Sequence, residues 1–216
     1  MNSALGELID AIENRDETRL KRLLEAQPSL AAADPGEGMA PLVVAIYWRN
    51  DSAADALVAA GAPYPAPLAA ARGDVARLTA LAHRDPEALA DWSADGWSAL
   101  HLAAHFGHVD ACLFLLRYGA SPRVRSRNGL ANLPVHAAAA GNHTAVVGIL
   151  LAAGTGADER QHGGWTALHQ AAQHGNEEMA RWLLAGGADA RLVNDEGKRP
   201  LDLVPAGHEA LRRLLA

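Results

Sequence analysis

Three histidines, His101, His105 and His108, fall within eight consecutive positions of this 216-residue chain. His101 and His105 are four apart, which on a helix places both on one face. Helical zinc sites use that spacing, and a bound zinc would supply Lewis-acid chemistry. A zinc site needs three or four convergent ligands, and the sequence offers no third for this pair. Cys112 is the single cysteine, so no intrachain disulfide and no cysteine cluster can form within one chain. It falls on the apolar stripe of VDACLFLLRYG and reads as a buried, inert thiol. Ser93, Ser98 and Thr166 have histidines nearby in sequence. A hydroxyl nucleophile also needs an orienting acid and an oxyanion hole, and neither is evident. Gly154-Thr155-Gly156 follows a helical run and reads as a helix stop, while Gly163-Gly164 reads as a tight turn. On these grounds no catalytic residue, metal ligand set or cofactor is assigned, and the chain is not expected to be an enzyme.

What would position such residues is a repeating frame. Apolar residues that open helical runs occur at Leu8, Leu42, Ala66, Leu100, Val135, Leu168 and Leu201, with spacings of 34, 24, 34, 35, 33 and 33. Seven positions after four of these anchors stand Gly73, Gly107, Asn142 and Gly175, residues that tolerate a left-handed backbone. The same place after the first two anchors holds Arg15 and Arg49, so a turn there must form without glycine. Second helical runs follow, such as HTAVVGILLAAG and EEMARWLLAGG, and several end in Gly-Ala. Each unit is thus a short helix, a turn, a longer helix and a loop. One such unit cannot bury its own apolar face, and stacked units share a core.

The stretches Ser98-Ala99-Leu100-His101-Leu102-Ala103-Ala104 and Thr166-Ala167-Leu168-His169-Gln170-Ala171-Ala172 resemble the T-P-L-H-x-A signature of ankyrin repeats. Gly107-His108 and Gly119-Ala120-Ser121 resemble that family's inter-helix turn and its exit to the finger loop. The resemblance implies an all-α solenoid of about seven stacked helix-turn-helix repeats with finger loops and capping end units. It implies one domain over residues 1–216, with units near 4–37, 38–63, 64–94, 95–129, 130–162, 163–195 and 196–216. Two departures stand out. The 24-residue spacing leaves only Gly61-Ala62-Pro63-Tyr64-Pro65 as a link, which predicts a missing finger and a kink. The 35-residue spacing, through Arg123-Val124-Arg125-Ser126-Arg127, predicts an extended basic finger.

The resemblance also sorts the histidines. His101, His136 and His169 share one repeat position, where the family's histidine bonds loop groups. Equivalent residues one repeat apart lie too far from each other to share an ion. His108 and His143 read as solvent-facing helix starts. Ankyrin-type stacks bind proteins through fingers and exposed inner-helix positions that form a concave face. Carried over position by position, that face would hold Tyr47, Trp48, Arg72, Trp97, His105, Phe106, Trp165, Gln173 and His174. Trp92, Arg125, Arg127 and His162 would lie on or near the fingers. Trp97 and Trp165 share a repeat position and read equally well as finger packing, and Trp182 reads as core. Arg123, Arg125 and Arg127 could meet an acidic patch or be a solvated loop.

The expected function is therefore capture of another protein, the alternatives being a histidine-based metal-dependent protein or enzyme, or a self-associating scaffold. The net charge of −6 argues against general nucleic-acid binding. No run approaches the length of a membrane span, and the acidic N-terminal stretch lacks an apolar signal core. A monomeric, cytoplasmic protein is expected. The excess of arginine over lysine fits a GC-rich, bacterial genome.

Overall fold

The computed structural model describes residues 3–36 and 39–216. The described residues are helical throughout, with no β-strand among them, and the chain divides into two compact units, Met1–Leu68 and Ala69–Ala216.

In the first unit α1 (Ser3–Glu13) pairs with α2 (Glu17–Ala26), and α3 (Pro41–Tyr47) pairs with α4 (Asp51–Ala59). Leu8, Ile12, Leu20, Leu42 and Leu57 fill its core. Asn50 joins the two pairs: its buried Nδ2 donates to Ile12 O at 2.9 Å while its Oδ1 caps α4 by accepting from Ala53 N. The two turns without glycine form as the spacing requires, with Arg15 at φ 56° and Arg49 at φ 51°. Side chains dislike this region, at about 1 kcal/mol or more each. The Arg15 guanidinium offsets the strain by donating to Trp48 O and Arg49 O, one unit along. The link 61–65 carries no finger, and α5 (Ala66–Ala71) begins directly after it and runs across the unit boundary.

In the second unit α6 (Val75–Arg84) is followed by three helix pairs: α7 (Ala99–Phe106) with α8 (Val109–Arg117), α9 (Pro134–Ala140) with α10 (Thr144–Ala152), and α11 (Ala167–Gln173) with α12 (Glu177–Ala185). A 3₁₀ turn, Pro200–Leu203, then stands where another inner helix would begin, and α13 (Glu209–Leu215) ends the chain. The inner helices α7, α9 and α11 pack against one another, and α8, α10 and α12 line up behind them. Ala103, Ala104, Ala138, Ala139, Ala171 and Ala172 are fully buried between them, since a methyl side chain lets neighbouring backbones come close. Fingers are joined by single backbone bonds: Arg127 N to Gly96 O, His162 N to Leu130 O, and Asp195 N to Gly163 O, at 2.8–2.9 Å.

The turn glycines meet two demands at once. Gly107 has φ 81°, and a Cβ there would lie 2.4 Å from the His143 ring of the next repeat. Gly73 and Gly175 stand in the same relation to His108 and His208. His108 and His143 are therefore half-buried ring platforms rather than solvent-facing helix starts, and His108 Nε2 donates to Ala71 O at 3.0 Å. Glycine at Gly187 has a similar φ of 94° but open space around it. Gly187→Ala should cost about 1 kcal/mol and Gly107→Ala about 2–3 kcal/mol, because only the second adds a clash to the dihedral strain. Urea unfolding of the two variants checks the difference.

Candidate functional site

The residues that could do chemistry by type are consumed by the repeat. His101 sits fully buried in the first turn of α7, its backbone N–H and ring both engaged with Ser98. Its Nε2 lies 3.0 Å from Asn132 O in the next finger. A carbonyl only accepts, so Nε2 carries the proton and Nδ1 accepts from the Ser98 hydroxyl at 2.8 Å. His136 repeats the arrangement, with Leu133 N–H donating to Nδ1 at 3.0 Å and Nε2 donating to Glu159 O at 2.8 Å. So does His169, with Thr166 N–H and hydroxyl on Nδ1 and Lys198 O on Nε2. Both ring nitrogens of each are occupied, which leaves no lone pair for a metal. Burial holds His101 and His136 down at a pKa of about 4, and lowers that of His169. Cys112 is fully buried and its thiol is pushed up to about 12, the environment of an unreactive cysteine. Among the described residues no group of three or more His, Cys, Asp or Glu could hold a metal ion.

The finger arginines are largely engaged by the repeat as well. Arg125 donates to Ala131 O and to Arg160 O, each at 3.0 Å, and pairs with Glu159 at 3.0 Å. Arg160 does the same one repeat on, donating to Val193 O at 2.9 Å. Arg123 Nε donates to Gly154 O at 2.8 Å. The basic finger is thus less a solvated loop than a set of struts to the following repeat. Arg127, exposed like Arg123 and Arg125, differs in placing its guanidinium 4.1 Å over the Trp92 ring, a cation–π contact at the finger surface. Trp92 and Ser98 bridge the base of this finger, and Ser93 closes its tip by accepting from Trp97 N through its hydroxyl. Trp97 and Trp165, both half-buried, lie against the repeat histidines His101 and His169, with ring centroids 5.4 and 5.8 Å apart.

The inner-helix positions separate by exposure. His105, Gln173 and His174 are exposed, and Arg72 is half-buried. Phe106, expected beside His105 on the open side, is only 7% exposed at the last residue of α7. Its ring serves as a T-shaped support for His105, at 5.1 Å between centroids. His174 Nε2 donates to Ala140 O of the preceding repeat at 3.1 Å. His162 is exposed at the finger turn 162–164. In the first unit Trp48 is 45% exposed at the end of α3 and Tyr47 is half-buried. Trp182, read as core from its place in an apolar stripe, is instead 53% exposed: α12 buries Met179, Ala180 and Leu183, and Trp182 falls outside that arc.

A family model described as ankyrin repeats, in three copies, matches residues 67–160 and 135–216. Protein phosphatase 1 regulatory subunit 27 of Homo sapiens is 36% identical over 87 residues, which is 40% of this chain and 55% of that protein. The B-cell lymphoma 3 protein homolog of Mus musculus is 32% identical over 177 residues, 74% of this chain and 38% of that one. Neurogenic locus notch homolog protein 2 of Homo sapiens is 33% identical over 139 residues, 64% of this chain and 6% of that one. The chain therefore spans about half the length of the first of these and less of the others.

Proposed function

The chain belongs to the ankyrin-repeat family, and on that footing we propose that it is a non-catalytic module that captures another protein through exposed finger and inner-helix side chains. The observation that carries this reading is a division of labour along the repeat. Positions that recur, such as His101, His136 and His169, are buried and spent on holding fingers to helices. Positions that vary, such as His105 against Ala140 and Gln173, stay exposed. Variation at an exposed place in an otherwise uniform frame supplies specificity for one partner. One relative is named a regulatory subunit, a role exercised by binding. No helix of the described residues is long and apolar enough to cross a membrane.

The surface proposed in the second unit comprises His105, Gln173 and His174 with Trp92, Arg127 and His162; Arg72, Trp97, Arg125 and Trp165 border it, and Phe106 supports it from below. In the first unit Tyr47 and Trp48 are the proposed contacts. The test is affinity capture with two variants of the full chain, His105→Ala/Gln173→Ala/Arg127→Ala and Trp48→Ala. Each should keep the native melting temperature within about 2 °C, since exposed side chains contribute little to stability. A protein held by the native chain and lost from the triple variant places the contact in the second unit. Equal capture by all three baits would sink the assignment of these residues.

A further inference from the structure

The outer helices of the second unit leave an apolar surface that the proposed binding residues do not use. Helix α10, TAVVGILLA, contains no charged residue at all, although Ala145 and Ala152 are exposed and Gly148, Ile149 and Leu151 are half-exposed. An outer helix normally sets charge toward water. Trp182 of α12 leans over it, its ring 3.2 Å from where a Cβ on Gly148 would stand. On the other flank α8 exposes Leu113 at 49% and Tyr118 at 47%, with Phe114 and Tyr118 stacked at 4.4 Å. These residues wall a cleft of about 400 Å³ with Val75 and Thr79 of α6. Large apolar side chains exposed side by side mark an interaction site.

The charges around it specify what fits. Asp110 stands in the first turn of α8 and Arg117 in the last, and both border the cleft. Neither makes an ion pair or a side-chain hydrogen bond among the described residues. Arg181 on α12, by contrast, is already neutralised by Glu177 four residues before it. Asp110 and Arg117 are separated by about 10 Å along the helix axis, from the rise per residue. A second α8 laid antiparallel across the first brings each Asp110 to the other's Arg117, while a parallel one sets like charges together. The patch is therefore complementary to itself, in the manner of a two-fold interface. A lipid surface is disfavoured by the net charge of −6 and by Asp110, an acidic residue at the border of the cleft. We propose that this face, centred on α8 with α10 and Trp182 beside it, binds a second copy of the same chain.

Sedimentation equilibrium of the full chain over a concentration series tests this. The native chain should move toward the dimer mass as concentration rises. Asp110→Arg and Arg117→Asp should each weaken association about tenfold or more, by setting like charges opposite. Circular dichroism should show both folded, since the two residues are exposed. Mixed in equal amounts, the two variants should form a dimer, because each then supplies the sign the other lacks. Leu113→Glu should be monomeric and is not rescued by either. A native chain that stays monomeric at every concentration overturns the proposal. So does a dimer that survives all three substitutions, or a mixture that fails to recover association. A monomer that floats with phosphatidylcholine–phosphatidylserine vesicles would assign the face to lipid and equally overturn it.

Discussion

Lowering the pH from 7.5 to 5 should destabilise the protein by several kcal/mol. The cause is the buried histidine series. In the unfolded chain these imidazoles take up a proton near pH 6.5, but folded His101 and His136 do so only near pH 4. Burial is the main reason, because a charged ring loses its hydration inside the stack. At His136 the Leu133 N–H adds a second, since it already points at Nδ1 and protonating that nitrogen would set two donors face to face, while the Nε2 bond to Glu159 O works the other way. The sign follows directly. Between pH 6.5 and 4 the unfolded state binds more protons than the folded one, so stability rises with pH across that window. It is fully present above pH 6.5 and is lost as the pH falls toward 4. Each of the two shifts corresponds to about 3 kcal/mol over the whole window and about 2 kcal/mol by pH 5. Two such terms are a large share of the roughly 5–15 kcal/mol that hold a domain folded.

The control is His101→Gln, whose side-chain amide can still donate to Asn132 O but does not titrate. It should cost about 1–2 kcal/mol at pH 7.5 through imperfect packing and the lost Ser98 contact. It should also be less acid-sensitive, losing the slope of one proton between pH 6.5 and 4. Urea denaturation of both proteins at half-unit pH intervals measures the two slopes. Parallel curves would show that His101 does not titrate between the states, and that the acid sensitivity arises elsewhere.

Much of this was legible in the sequence because repetition exposes it. Histidines recurring with period 33–35 beside Ser98, Leu133 and Thr166 announce a structural task, and the structure gives each the same two bonds. The turn positions were legible for a related reason: Gly73, Gly107, Asn142 and Gly175 are residues that accept positive φ, and the arginine turns follow by register alone. What could not be read was orientation at the end of a helix and on its back. Phe106 and His105 are adjacent, and a rotation of one residue step, about 100°, decides which of them meets water. Trp182 sits in an unbroken apolar run, so composition places it inside, yet the three buried residues of α12 span an arc that excludes it. The arginine struts were hidden because a finger's charge is visible in sequence but its acceptors, Ala131 O and Arg160 O, are backbone atoms without a sequence signal.

Removing residues 197–216 should be the most damaging change of all, leaving a chain that aggregates or melts at least about 10 °C lower. Twenty residues are lost from the sequence, but the cost lies in what they cover. Val204, Leu211 and Leu215 are buried, at 4%, 1% and 4% exposure, against α11 and α12. Their deletion removes about 2 kcal/mol of apolar burial each and also uncovers the apolar partners they touch. Polar satisfaction goes with it. His169 loses Lys198 O, the acceptor for its buried Nε2 proton, and an unpaired buried donor costs about 1–3 kcal/mol. Gly175 loses the His208 ring that packs over its turn. Because each repeat is stabilised chiefly by its neighbours, fraying at α11 and α12 would propagate toward α9 and α10. Light scattering and thermal melting of the truncated chain measure the effect. A milder companion, Leu211→Ala, separates burial from chain length: it should cost about 2–4 kcal/mol while leaving the His169 bond in place. A truncated chain that stays soluble and melts as the native one does would mean that α11 and α12 hold their own outer faces without this segment.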